Sequence, residues 1–374
     1  MRLSVDILSG GGRKTAAAIL LVCDIPEQNT SVRFLLDAGG ALELDEDKGW
    51  QQPDNLDAIF ISHDHQDHMG GLVDIEGQVP VYATKAVQPQ LPNHLNLKDL
   101  SVCGSQIVSG IKVTTGSAGH SFGGVWMHFD IAGGVFYSGD FSLESSLFRF
   151  TPPPTAQLAL LDASYGLYEH SLQQSKQKLE QYLLRSESLL MPVPQTGRAL
   201  EIACWLTSIG FDDWSLGNDC VSPELALSGP DMGISEDSQR ILAGMPSHDF
   251  NPNAKVLLCG DPDGLGGDSA RLLSQAERYF PLYTGHLPAH ARQAVAIGEA
   301  DFVRWNVHPR IQDLQLLSSM LSCQICVPLF HEFKDKASWH VALGKCFSSD
   351  SYIEYDYDID QKALCLCSSR TEYI

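Results

Sequence analysis

A chain of 374 residues, 44% apolar and 19% charged, is long enough for two domains and can bury a full core, which excludes disordered, collagen-like and coiled-coil classes. The 46 acidic against 25 basic side chains give a formal charge of −21, which argues against loose, non-specific binding to nucleic acid, since that rests on Lys and Arg neutralising phosphates. A nucleic-acid substrate held at one site is not excluded, because bound divalent metals reverse the local field there.

The first half alternates short β-like runs with turns. A glycine turn (Gly10, Gly11, Gly12) precedes a candidate strand at Ala16–Cys23. Further strands are expected at Val32–Asp37, Ala58–Ser62, Val79–Ala83, Ile107–Thr115, Val125–Ile131, Val135–Ser138 and Leu158–Asp162, bounded by Gly, Asp, Asn or Pro. The middle turns helical. Amphipathic spacing predicts helices at Ser171–Arg185, Arg198–Ile209 and Asp268–Tyr279, the last with Asp268 as N-cap, between strands Leu189–Val193 and Lys255–Cys259. Strands alternating with helices imply a small α/β unit with a largely parallel sheet. The stretch 214–251 reads as loops. The final part is expected to run helix Pro288–Glu299, strand Asp301–Asn306, helix Arg310–Leu321 and strand Ile325–Leu329, with the tail Ser349–Gln361 as an exposed edge.

Ala16–Cys23 is too short for a signal peptide and follows no charged region. No run approaches the ~18 apolar residues of a membrane span, so no membrane partner is expected and a cytoplasmic location is. The 10 cysteines are scattered; Cys323-x-x-Cys326 and Cys365-x-Cys367 do not form a zinc ribbon, and reduced thiols are expected.

The strongest signal is His63-Asp64-His65-Gln66-Asp67-His68, directly after the strand Ala58–Ser62 and before Met69-Gly70-Gly71. Residues two apart on an extended stretch point to one side, so His63 and His65 can hold one metal. The chain then turns, and Asp67 and His68 can reach a second. Zinc suits such ligands, with manganese as the alternative. Two divalent metals about 3.5–4 Å apart can clamp a phosphoryl or carbonyl group and generate a hydroxide at neutral pH. Gly119-His120 sits in a turn between strands, where His120 could complete the first ligand set. Asp140 ends another strand and could bridge both metals. Asp37, at the end of Phe34-Leu35-Leu36, could orient a ligand histidine through its free ring nitrogen. Arg198, at a helix start, is placed to meet a phosphate, with a plain surface arginine as the alternative.

Asp37, the His63–His68 motif, His120 and Asp140, in that order, resemble the metallo-β-lactamase superfamily. Ser138-Gly139-Asp140-Phe141-Ser142 followed by Asp162-Ala163-Ser164-Tyr165-Gly166 resembles its β-CASP branch, which includes ribonuclease J and the nuclease of mRNA 3′-end processing. Gly197-Arg198-Ala199-Leu200-Glu201, the loop Asp263–Ser269, Pro288-Ala289-His290-Ala291 and Val307-His308-Pro309 are similar to later motifs of that branch, although Arg292 and Pro309 depart from its usual Asp and Gly. The resemblance implies an α/β fold: an αββα sandwich (residues 1–170 and 283–374) interrupted by a small β-CASP-like α/β domain (171–282).

The resemblance also implies roles. His63, His65 and His120 would hold one metal; Asp67, His68 and His308 the other, with Asp140 bridging. His290, supported by Asp162, would donate a proton to the leaving oxygen, with His286 as the alternative acid and Asp67 counted among the catalytic residues. Arg198, Gly266, Gly267 and Ser269 would meet substrate phosphates. His308 tilts the implied substrate toward RNA. The expected activity is a metal-dependent phosphodiesterase acting on RNA or single-stranded nucleic acid. A hydrolase of a small phosphodiester or ester, and a non-catalytic partner subunit, are the alternatives; a homodimer or protein complex is left open.

Overall fold

Period-two alternation begins at the second residue. Leu3, Val5 and Ile7 of the strand Arg2–Ser9 are buried while the residues between them are at least partly exposed, as a strand covered on one face requires. This strand pairs antiparallel with Ala18–Ile25 on one side and Tyr352–Asp358 on the other, which draws the acidic, tyrosine-rich tail into the sheet. The computed structural model describes residues 1–25, 30–42, 47–245, 249–275, 278–285, 287–358 and 363–366.

Two sheets face each other. The first has eight strands, in spatial order Ala363–Leu366, Tyr352–Asp358, Arg2–Ser9, Ala18–Ile25, Thr30–Leu36, Ala58–Phe60, Pro80–Thr84 and Asn96–Leu100. The second has six: Ile325–Leu329, Leu158–Asp162, Val135–Tyr137, Val125–Phe129, Ile111–Ser117 and Gly104–Val108. Phe34, Phe60, Met127, Phe129, Tyr137 and Leu160 interdigitate between them. Trp50, Leu72 and Ile75 cover the outer face of the first sheet. The helices Ile311–Leu321 and Lys336–Leu343 cover the second through Leu314, Leu317 and Trp339. The layers are those of an αββα sandwich.

A third sheet of five strands, all parallel, runs Trp214–Leu216, Val256–Cys259, Ser188–Pro192, Tyr279–Tyr283 and Asp301–Phe302. Its core centres on Leu189, Met191, Ile202, Leu206, Val256 and Trp305. This is the inserted α/β region. After Ser188–Pro192 the chain adds strands on one side and later returns to add them on the other. The carboxyl ends of Ser188–Pro192 and Tyr279–Tyr283 therefore flank a switch point, where open parallel sheets place their ligands.

Three local readings change. Ile107–Thr115 is not one strand but the hairpin Gly104–Val108 and Ile111–Ser117; Ser109 and Gly110 both adopt positive φ (48° and 82°), the conformation of a tight two-residue hairpin turn. Asp268 is not an N-cap: the helix Gly267–Leu273 starts after Gly266, and the Asp268 carboxylate binds Arg271. The stretch read as loops carries helices Pro223–Ser228 and Glu236–Gly244, capped by Ser222 and Ser235. Serine followed by Pro-Glu or Glu-Asp is the signal that could have found them. Cys23, Cys103, Cys204, Cys220, Cys259, Cys323, Cys326 and Cys346 are free; Cys367, His248 and His286 lie outside the described residues. No helix among the described residues is long and apolar enough to cross a membrane.

Candidate metal centre

The six-residue motif leaves the strand Ala58–Phe60 at the rim of the first sheet and curls into one turn of helix, Gln66–Met69. Backbone bonds pin that turn: Ala17 N–H donates to Asp67 O at 2.7 Å and Ala38 N–H to His68 O at 2.9 Å. Approach this close requires glycine at position 39, where a Cβ would stand 2.0 Å from Asp67 O.

Five imidazoles then converge on Asp140, His308 Nδ1 among them at 3.6 Å from Oδ2. His63 Nε2 and His120 Nε2 each lie 3.7 Å from Asp140 Oδ2, and His68 Nε2 lies 3.3 Å from Oδ1. His65 Nδ1 is 3.2 Å from His120 Nε2. The outward nitrogens are held by protein oxygens: His63 Nδ1 by Ser62 Oγ at 3.0 Å, His68 Nδ1 by Asp37 Oδ2 at 2.7 Å and His120 Nδ1 by Val307 O at 2.7 Å. Asp37 also accepts from Ser62 N, Ser62 Oγ and Tyr137 Oη. Outer oxygens that fix ring orientation leave the inner nitrogens ready for a cation.

Two groups among the described residues have ligand atoms within 4.8 Å of one another and could hold a metal ion: His63, His65, His120 and Asp140, and Asp140, Asp162 and His308. The first fits a divalent cation that takes nitrogen and oxygen ligands. His63 Nε2, His68 Nε2 and Asp140 Oδ1 are buried without a hydrogen-bond partner, a costly state that a bound cation relieves. Burial pushes the His63 and His120 imidazoles well below their ordinary range, toward the neutral form that ligates. His68 goes the other way: burial opposes its charge, but Asp140 and Asp67 hold it well above that range. Asp67 is pulled down to about 2, its burial outweighed by Lys14 and His68.

Residues 32–170 match the family described as the beta-lactamase superfamily domain. The chain carries a metallo-β-lactamase superfamily domain. Its His and Asp cluster has the residues to hold a metal ion. The chain is similar to the transcription termination factor FttA of Methanocaldococcus jannaschii, 27% identical over 246 residues, which cover 52% of this chain and 37% of the archaeal protein. It is also similar to the cleavage and polyadenylation specificity factor subunit 3 of Dictyostelium discoideum, 32% identical over 135 residues, 34% of this chain and 17% of that protein. The chain thus spans well under half the length of these relatives. A solved structure of a protein of unknown function from Enterococcus faecalis V583 shares the fold, with a TM-score of 0.60 at 13% identity over 95% of this chain and 100% of that one.

Around the metallo-β-lactamase centre, several residues stand elsewhere than the sequence reading put them. His308 was grouped with Asp67 and His68. Its Nδ1 lies 3.6 Å from the Asp140 Oδ2 expected to bridge, and 2.8 Å from Asp162 Oδ2, because Asp162 ends a strand of the second sheet and aims its carboxylate at the Val307–Pro309 turn. Asp162 therefore supports His308 and not His290. His290 is exposed on the helix Ala289–Ile297, with no bond to the cluster. Asp67 Oδ2 meets Lys14 Nζ at 3.3 Å. In the glycine loop the Gly266 amide and the Ser269 hydroxyl are already bonded within the protein. Asp261 takes the Gly266 amide, Asp219 takes the Gly260 and Asp268 amides and crowds any Cβ at Gly267, and Ser269 Oγ donates to Cys259 O.

Arg198 lies near Tyr165, which packs on His308. It opens the helix Arg198–Ser208 after the strand Ser188–Pro192 and packs its guanidinium over Gly285, at the switch point of the third sheet. Its Nε is buried without a partner, and burial lowers its pKa. Glu201 in the same helix is occupied elsewhere: it accepts from Ser145 Oγ, Ser146 N and Trp305 Nε1, fastening the insert to the sandwich. Tyr165, 5.0 Å from the His308 ring, accepts Arg304 over its face at 4.4 Å. Ser62, Tyr137, Lys14 and Arg304 were not singled out from sequence. Only Tyr137 carried a signal, as a polar tip on a strand position facing the sandwich core. His331, given no role, packs its ring against Gly166 and lines a 490 Å³ cavity with Arg13, Lys14, Ser164, Phe330 and Trp339.

Proposed function

We propose that the protein is a phosphodiesterase of the nuclease type, cleaving RNA or single-stranded nucleic acid. The observation that carries the reading is the ring of inward-facing, unpartnered atoms on His63, His68 and Asp140, with a buried Arg198 Nε, also without a hydrogen-bond partner among the described residues, on the insert side. A metal-binding cluster and an arginine that makes no ion pair among the described residues, near the Tyr165 that packs on His308, suit a phosphoryl group. His63, His65, His120 and Asp140 would hold one divalent cation, and Asp67, His68 and Asp140 a second. When bound, such cations supply Lewis-acid stabilisation of charge developing on phosphoryl oxygens.

The chain's own residues would do the rest. The guanidinium of Arg198 would hold a non-bridging phosphate oxygen and orient the ester. Asp162 fixes His308 through Nδ1, and Nε2 has no hydrogen bond among the described residues, so it is free to pass a proton to the leaving oxygen. We assign the trio Asp140, Asp162 and His308 to that proton transfer, because its shortest contact is the 2.8 Å hydrogen bond itself. The likeness to a termination factor and a cleavage factor supports a nucleic-acid substrate. The charge of −21 favours the second reading, a small phosphodiester.

The test is cleavage of labelled RNA, labelled single-stranded DNA and a chromogenic phosphodiester by zinc- or manganese-loaded protein. His308→Ala should lower kcat on the cleaved substrate by about 10²–10⁴-fold, the usual range for a lost acid or base, without changing metal content. Cleavage of the small ester alone would sink the nuclease reading.

A further inference from the structure

Lys14 is the cation that the sequence left as part of a glycine turn. Its ammonium lies 3.3 Å from Asp67 Oδ2 and 3.2 Å from Ser164 Oγ, and it stands 5.4 Å from the centroid of the Phe330 ring. These partners come from three distant segments, which hold the head of a side chain that is itself 38% exposed. Phe330 is itself held in a conformation rare for a bulky residue, with φ at 63°. The Phe330 amide donates to Gly10 O at 2.7 Å, and a Cβ at Gly10 would come within 2.7 Å of the ring. The other side of that ring meets His68 edge-on at 5.4 Å. Strain of this kind persists where surrounding structure enforces it.

The oxygen that Lys14 occupies is also the Asp67 oxygen nearest His68, at 3.9 Å from Nε2. It is the atom Asp67 would offer to a second cation. Charge leads to the same conclusion. Asp37, Asp67, Asp140 and Asp162 place four buried carboxylates around the centre. Two dications would neutralise them without help, and a fixed ammonium among them would then be surplus. With one dication bound, Lys14 supplies part of the missing positive charge.

We propose that Lys14 is a built-in cation that takes the place of the second metal at the Asp67–His68 pole, so that the protein holds one divalent ion tightly, at His63, His65, His120 and Asp140, and a second only weakly. The inference rests on the metal-binding reading above. A dication entering beside Asp67 must displace the ammonium from its carboxylate or sit a few ångströms from it, and either costs the second ion affinity while leaving the first ligand set untouched.

Zinc-loaded protein dialysed against metal-free buffer should keep one ion per chain by elemental analysis, and calorimetric titration should show a second, weaker step. Lys14→Met should keep two ions, its second step tightened more than about tenfold by removal of the fixed charge. Lys14→Arg retains the charge and should stay at one. Two tightly held ions in the unmodified protein overturn the proposal whatever the variants do, and so does a second step that Lys14→Met leaves unchanged. Failure of every form to take up metal would instead overturn the metal-binding reading, and this inference with it.

Discussion

On the sandwich side of the site, His63, His68 and His120 each give one ring nitrogen to a protein oxygen, and Asp37 ties His68, Ser62 and Tyr137 into one buried network. On the insert side, the buried Nε of Arg198 has no hydrogen-bond partner among the described residues, and the nearby Glu201 is hydrogen-bonded to Ser145, Ser146 and Trp305. One side is internally complete except where a cation would sit. The other carries a positive charge that Glu201 and Tyr165 face but that makes no ion pair among the described residues. The difference teaches what each side is for: a fully wired shell holds ligands in place before anything binds, and a guanidinium in no such ion pair waits for an anion.

The largest expected effect lies on the wired side. Asp37→Ala removes the acceptor of His68 Nδ1 and leaves the buried Ser62 and Tyr137 hydroxyls without their acceptor. Metal affinity should fall by about 10–100-fold, the usual loss for an outer partner of a ligating histidine, and the melting midpoint should drop with it. Metal titration of the folded variant checks this. Unchanged affinity would mean that the histidines hold their geometry without Asp37.

A smaller effect of opposite character is expected on the insert side. Arg198→Ala should raise KM for a phosphodiester about tenfold while the melting midpoint stays level or rises, because burial of a guanidinium that makes no ion pair among the described residues carries a desolvation cost that its removal relieves. Arg198→Lys should not restore KM, since an ammonium lacks the planar fork that grips a phosphate. A drop in stability with KM unchanged would make Arg198 a packing residue and erase the contrast between the two sides.

How far the sequence reveals each side follows the same division. The metal cluster is compressed into one strand-and-turn segment, 63–68, and its partners Asp37, His120 and Asp140 each end or follow a hydrophobic run. Local pattern therefore carries most of it. Lys14 and Phe330 reach the site through tertiary contacts between segments over 300 residues apart, and no local pattern announces such a meeting. The glycine loop Asp263–Ser269 has the composition of a phosphate cradle, but Asp261 accepts its Leu265 and Gly266 amides and the distant Asp219 its Asp268 amide. Composition could not show that. The two short helices inside 214–251 were hidden by turn-forming residues that in fact serve as their caps.

The smallest expected effect tests the histidine assignment. Pro288-Ala289-His290-Ala291 and Val307-His308-Pro309 both read as a histidine after a small or branched residue, and sequence alone offered His290 as the proton donor. The structure separates them by their company. His308 has a buried carboxylate at 2.8 Å and the rings of Tyr165 and His120 at 5.0 Å. His290 has solvent and the first turn of an exposed helix. A proton donor needs a partner to fix its tautomer and a low-dielectric setting in which its proton matters, and only His308 has both. His290→Ala should therefore change kcat and KM by less than about twofold, since a surface side chain outside any network contributes little to either stability or the reacting geometry. A loss of kcat comparable to that of His308→Ala would show that the helix Ala289–Ile297 swings over the centre when substrate binds, and the proton would then have to be traced through His290 after all.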